Sequence, residues 1–218
     1  MIFRDRQDAG RRLAALLLKY AGRSDLVVLA LPRGGVPVAF EVAQQMQAPL
    51  DIFLVRKLGV PGHEELAMGA IASGDTRVIN EDIVSYLQIP GEIIDAVAAD
   101  ERRELERRER AYRNGRPAPP VKDRVVILID DGLATGSTMR AAAAALRKQD
   151  PSRIVVAVPV APAEACEALQ TEVDEVICAA TPEPFHGVGL WYDNFEQTTD
   201  EEVRELLHRA NPDRRRAA

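Results

Sequence analysis

The chain reads as an α/β protein with a doubly wound, mainly parallel sheet, and two observations carry that reading. Helical patterns alternate with short apolar runs along most of its 218 residues. The runs at 25–31, 125–129 and 154–158 are continuously apolar rather than alternating, as expected of strands covered by helices on both faces. Right-handed crossovers between such strands build an open sheet whose ligands sit at the carboxyl ends, where the strand order reverses.

Residues 5–21 form an amphipathic pattern with Leu13, Leu16, Leu17 and Tyr20 on one side. Residues 25–31 (DLVVLAL) predict a buried strand that ends at Pro32-Arg33-Gly34-Gly35. A helix follows from about 37 to 46, and a proline in its first turn gives up only an N–H that had no helical partner. The next strand is expected at 52–55. The stretch 59–74 is glycine-rich and poorly periodic, so it reads as a long excursion carrying a short hairpin at 70–73 and 77–80. Residues 91–113 predict a long helix in which acids and bases alternate, with Glu104/Arg108 and Glu106/Arg110 spaced for ion pairs. Its apolar stripe is thin (Ile94, Val97, Leu105, Tyr112), which suits either a solvated helix packed along one edge or a contact with a second copy of the chain. RPAPP at 116–120 is a stiff linker. Then come a strand at 125–129, a helix at 137–148, a strand at 154–158, a helix at 163–169 and a strand at 175–178. The whole is expected to be one domain over 1–212, with 58–120 inserted and 182–212 forming a C-terminal hood and helix. The basic tail 213–218 carries too little apolar surface to order itself.

A composition of 46% hydrophobic and 28% charged residues supports a sizeable core in a soluble chain. The net charge of −6 argues against general nucleic-acid or membrane-surface binding. A small anionic ligand stays compatible with that charge, because backbone dipoles and a metal ion act locally. The opening MIFRDRQDAGRRL has no signal-like apolar run and no stretch is long enough to span a bilayer, so a cytoplasmic location is expected. Cys166 and Cys178 lack a CxxC spacing and are expected as reduced thiols. His63, His186 and His208 are scattered singly and make no zinc site.

The chemistry concentrates at 125–138, VVILIDDGLATGST. Five apolar residues lead to Asp130-Asp131, and a turn of small residues then opens a helix. Successive backbone N–H groups in such a turn, with the positive end of the helix dipole behind them, make an anion pocket. Thr135, Ser137 and Thr138 add hydroxyls to it. The two carboxylates would repel a phosphate and need other partners, such as ribose hydroxyls or a divalent metal. Two acids capping a helix in any α/β protein would look similar. There is no GxxxxGK[ST], and no GxGxxG follows the first strand, so the usual nucleotide and dinucleotide fingerprints are missing.

This segment closely resembles the phosphoribosyl pyrophosphate motif of type I phosphoribosyltransferases. The resemblance implies that Asp130 and Asp131 bind ribose hydroxyls, and that Ala134, Thr135, Gly136, Ser137 and Thr138 hold the 5′-phosphate. It further implies a pyrophosphate loop at Arg33, Gly34 and Gly35. Lys57, and with it Arg56, corresponds to a pair that contacts the leaving pyrophosphate, and Lys57 is a catalytic candidate together with Asp130 and Asp131. The stretch 58–75 falls in order at the family's flexible loop, from which His63 and Glu64 could reach the reacting groups. Phe185 (or Trp191) is the candidate for stacking on an acceptor base, with core packing in a small hood as the alternative. Mg²⁺ is the implied cofactor, with Asp131 and Asp193 as its candidate contacts through ribose hydroxyls or water. The expected reaction transfers the 5-phosphoribosyl group from phosphoribosyl pyrophosphate to a nitrogenous acceptor, expected to be a nucleobase, and releases pyrophosphate. The alternative is a non-catalytic sensor of the same ligand. The implied partners are these small molecules, with no nucleic acid and no membrane; a homodimer is left open as the alternative reading of the helix at 91–113.

Overall fold

The structure is a computed structural model that describes residues 3–74 and 76–211. The first half of the chain comprises α1 (Arg6–Leu16), a 3₁₀ turn (Leu18–Tyr20), β1 (Leu26–Ala30), α2 (Gly35–Met46), β2 (Leu50–Ile52), β3 (Val55–Val60), β4 (His63–Ala72), β5 (Thr76–Ile79), α3 (Glu81–Tyr86) and α4 (Gly91–Arg113). The second half comprises β6 (Val125–Ile129), α5 (Ser137–Arg147), β7 (Arg153–Val160), α6 (Ala163–Gln170), β8 (Glu175–Ala180), a second 3₁₀ turn (Val188–Trp191) and α7 (Asp200–Ala210).

Five strands form the expected parallel sheet in the order β2-β1-β6-β7-β8. Alternate side chains of β1 and β6 serve two cores. Val28, Ala30, Ile127 and Ile129 pack with α1, α2 and α7, while Val27, Leu29, Val126 and Leu128 pack with α5 and α6. Each such Leu or Ile, fully buried, contributes about 2 kcal/mol, so both faces need apolar residues and the runs do not alternate. From β1 the chain winds one way to β2; from β6 it winds the other way to β7 and β8. The reversal therefore lies between the carboxyl ends of β1 and β6, which is where this architecture opens a ligand crevice.

The segment read as an irregular excursion is ordered as a second, antiparallel sheet, β3-β4-β5. Leu58, Met68 and Ile71 face Ile94, Ala98 and Leu105 of α4, while Val55, Ala72 and Val78 join the core that holds α5. The hairpin expected at 70–73 and 77–80 is the β4–β5 pair, whereas register shifts at Leu58–Val60 break the two-residue period and hid β3 and the start of β4 from a reading based on alternation. The expected strand at 52–55 is accordingly two strands, one in each sheet.

Helix α4 spans the predicted residues and buries Ile94, Leu105 and Tyr112. Glu104 pairs with Arg108 at 2.7 Å and Glu106 with Arg110 at 4.0 Å. Its last turn is anchored by Arg113, a buried guanidinium that reaches Asp51 of β2 at 3.1 Å and the Ile52 carbonyl at 3.0 Å. One expectation is overturned: Cys166 and Cys178 are not free thiols but a disulfide. The turn after α6 folds the helix back over β8, so cysteines 12 residues apart meet face to face. The C-terminal stretch returns to the N-terminus, where Tyr192 pairs with Phe3, and α7 packs on α2, α4 and β2. Among the described residues no helix is long and apolar enough to cross a membrane. The basic tail 213–218 lies outside the described residues.

Candidate active site

Both motif loops leave the sheet at its reversal. Leu31 donates its N–H to the Ile129 carbonyl at 2.8 Å, so the turn after β1 starts beside the turn after β6. Gly34 and Gly35 then press onto the acidic pair. A Cβ on Gly34 would lie 1.9 Å from Asp131 Oδ2, and one on Gly35 would lie 2.7 Å from the Ile129 carbonyl oxygen. Only hydrogen fits in either place. The Pro32–Arg33 peptide within this turn is cis. Arg33 extends to Asp200 at the start of α7, at 3.5 Å, and Asp200 also accepts from the Tyr112 hydroxyl at 2.7 Å.

Asp130 and Asp131 stand at the end of β6. The Asp131 N–H donates to Asp130 Oδ1 at 2.8 Å, which keeps the two carboxyl groups close. Burial, followed by the neighbouring Asp131 charge, pushes Asp130 well above the ordinary carboxylate range. Asp131 is also raised by burial, but the Arg6 guanidinium opposes that shift. Arg6 Nε donates to Asp131 Oδ2 at 2.8 Å, and Arg6 is itself only 8% exposed. The Tyr192 hydroxyl donates to the Asp131 carbonyl at 2.5 Å. Burial and the acidic neighbours keep that phenol protonated far above its usual range.

Beyond the acids, Gly132 passes under Val188 with no room for a side chain, and Leu133 donates to the Val160 carbonyl at 2.9 Å. Ala134, Thr135, Ser137 and Thr138 are exposed. Gly136 sits at φ +72, the left-handed turn that launches α5, and has no side chain to cap that helix, while the Ser137 N–H donates to the Thr135 hydroxyl at 3.4 Å. The Thr135 and Ser137 hydroxyls lie 3.2 Å apart at this helix start, where the next N–H groups have no partner within the helix.

The remaining sequence candidates fall in several places. Arg56 and Lys57 point to opposite faces of β3. Arg56 is held by Glu101 of α4 at 2.6 Å, while Lys57 lines a cleft of about 640 Å³ that also includes Ser137. His63 is exposed where β4 begins, and the Glu64 side chain lies outside the described residues. Phe185 and Trp191 pack against Phe3, Val160 and Tyr192. Phe185 also lines a recess of about 540 Å³ with Pro162, Glu164 and Glu183, at the carboxyl ends of β7 and β8. Asp193 is exposed, with its amide bonded to the Phe3 carbonyl. No cluster of three or more His, Cys, Asp or Glu groups able to hold a metal occurs among the described residues. Sequence reasoning did not find Arg6. Its single hint is a positive charge in a first helical turn, where the helix dipole disfavours it.

Residues 3–190 match the family model described as "Phosphoribosyl transferase domain". The chain belongs to that family. A Mycobacterium tuberculosis H37Rv protein, provisionally named a phosphoribosyl transferase, is 47% identical over 212 residues, covering 97% of this chain and 48% of that protein. The protein from strain CDC 1551 matches equally. The chain thus spans about half the length of the curated relatives it matches. The crystal structure of TT1426 from Thermus thermophilus superposes with a TM-score of 0.86 at 43% identity, covering 95% of this chain and 98% of that one. AQ2163 from Aquifex aeolicus shares the fold at a TM-score of 0.51 and 14% identity, covering 84% and 78%. The phosphoribosyl transferase match takes in both loops and the parallel sheet that carries them; α7 lies beyond it.

Proposed function

We propose that the chain is a phosphoribosyltransferase domain that transfers the 5-phosphoribosyl group from phosphoribosyl pyrophosphate to a nitrogenous acceptor. The observation that carries this reading is the contact between the two loops, in which Gly34 and Gly35 lie against Asp131 and Asp130 at the sheet's reversal. A ligand seated there meets carboxylates for the ribose hydroxyls and, beside them, open N–H groups for phosphates.

In this reading Asp130 and Asp131 accept hydrogen bonds from the ribose. The amides of 134–138 and the hydroxyls of Thr135, Ser137 and Thr138 take the 5′-phosphate. The bond from the anomeric carbon to a pyrophosphate oxygen breaks as the bond to the acceptor nitrogen forms. Arg33 and Lys57 offset the charge that builds on the departing pyrophosphate. Arg33 leaves Asp200 to do so, an exchange made easy by a 3.5 Å contact between exposed groups. The acceptor lies in the recess beside Phe185. Mg²⁺ fits this donor set as an ion that arrives with the substrate, because it needs only one or two carboxylates when phosphates complete its shell. Asp130 and the free oxygen of Asp131 would hold it, and it would supply charge neutralisation at the pyrophosphate.

The test is pyrophosphate release from Mg²⁺-phosphoribosyl pyrophosphate across a panel of purines, pyrimidines, orotate and nicotinate. At least one acceptor is expected to release it. Silence across the panel with ligand binding intact would replace the transferase with a sensor of the same ligand.

A further inference from the structure

Arg6 lies outside both motif loops, yet it is the group that touches their acidic centre. It comes from the first turn of α1 and is held on three sides. Nε donates to Asp131 Oδ2 at 2.8 Å, an Nη donates to the Glu196 carbonyl at 2.7 Å, and the guanidinium lies 3.9 Å from the centre of the Phe195 ring. Only Asp131 among these three contacts belongs to a motif loop. The Glu196 and Phe195 contacts fix the guanidinium from behind, in a geometry that a planar fork can satisfy and an ammonium cannot.

We propose that Arg6 is a positioning residue, which sets the Asp131 carboxylate for the ribose hydroxyls. The inference rests on the reading of Asp131 as a ribose contact. The two carboxyl groups crowd one corner, and Gly34 leaves Asp131 Oδ2 no slack on its loop side. Arg6 takes up that same Oδ2, so Oδ1 and the Asp130 carboxyl remain as acceptors. The Tyr192 hydroxyl on the Asp131 carbonyl fixes the backbone of the same residue. Phe195, Glu196 and Tyr192 come from one C-terminal segment, so the segment 192–196 and the start of α1 together brace the loop after β6 from outside.

The experiment compares wild type, Arg6→Met, Arg6→Lys, Asp131→Asn and the Arg6→Met/Asp131→Asn double variant. Mg²⁺-phosphoribosyl pyrophosphate is titrated by calorimetry, KM and kcat are separated with whichever acceptor supports turnover, and thermal melts are run alongside. Arg6→Met keeps an apolar stem on Phe195 and should weaken binding and raise KM about tenfold or more, the scale seen when an orienting partner behind a binding group is lost. Its kcat should change less. Arg6→Lys should fall between wild type and Arg6→Met. In the Asp131→Asn background Arg6→Met should add little further. Wild-type affinity in Arg6→Met, or an equal loss with and without Asp131, would overturn the assignment and leave Arg6 a structural tie. If wild type itself binds no phosphoribosyl pyrophosphate, the reading of the site fails. A crystal structure of Arg6→Met then decides the role of Arg6 by itself: an Asp131 carboxylate turned away from Gly34 supports positioning, and an unmoved one contradicts it.

Discussion

Gly34 illustrates how little freedom single atoms have at this site. Its missing side chain is the space that Asp131 Oδ2 occupies, so a methyl group there must displace either the carboxylate or the loop that carries Arg33. Gly34→Ala should therefore cost about 1–3 kcal/mol of stability through overpacking and weaken phosphoribosyl pyrophosphate at least about tenfold. Thermal melts and calorimetry check both. Gly91→Ala, at a helix start with open space around it, is the matched control and should leave binding unchanged. At this scale the acids were legible because an apolar strand delivers two adjacent carboxylates to a small-residue turn. Arg6 was not, because the interaction that makes it matter joins residues 125 positions apart and no local pattern encodes such a distance. The disulfide was missed for a related reason. Cys166 and Cys178 meet through a helix-to-strand reversal, and the short-motif spacings that announce paired cysteines do not describe that geometry.

Among the elements, α4 and α7 tie the loop after β1 to the rest of the molecule. Tyr112 donates to Asp200, and Asp200 also receives Arg33. The Tyr112 hydrogen bond, followed by Arg33, holds the Asp200 carboxyl below its usual value, while burial and that same bond push the Tyr112 phenol up to about 12. A folded-state carboxyl depressed in this way contributes stability above its unfolded value near 4, and that contribution is lost as pH falls through the folded value. Tyr112→Phe should consequently lower the melting temperature at pH 7, by the equivalent of about 1 kcal/mol, and much less at pH 3. An equal drop at both values would mean that Tyr112 acts by packing alone. The charged helix itself was legible down to its ends, because Glu/Arg pairs at i,i+4 and a thin apolar stripe are local signals. The second sheet was legible only in part: the hairpin expected at 70–73 and 77–80 is the β4–β5 pair, while the register shifts at Leu58–Val60 remove the alternation that would have revealed β3.

For the whole molecule, the parallel sheet brings residues of two distant segments, 31–35 and 130–138, to one edge at the point where the winding reverses. That convergence was readable from two apolar runs and the turns that follow them, since β1 and β6 carry continuous burial and end in small residues. The acceptor side was less readable. Phe185 sits in a small aromatic cluster with Phe3 and Tyr192, so its surroundings depend on how both chain ends return to the sheet. The proposed phosphoribosyl half meets that region through the Tyr192 hydroxyl on the Asp131 carbonyl, but its candidate ligand contacts come from the two loops. The measurement that bears on it most directly is calorimetric titration of Mg²⁺-phosphoribosyl pyrophosphate into wild type and into Asp130→Asn/Asp131→Asn. Hydrogen bonds to charged groups are worth about 1.5–3 kcal/mol each, so loss of two should weaken binding by roughly 100-fold or more. Unchanged affinity in the double variant would contradict the assignment of this crevice as the ligand site.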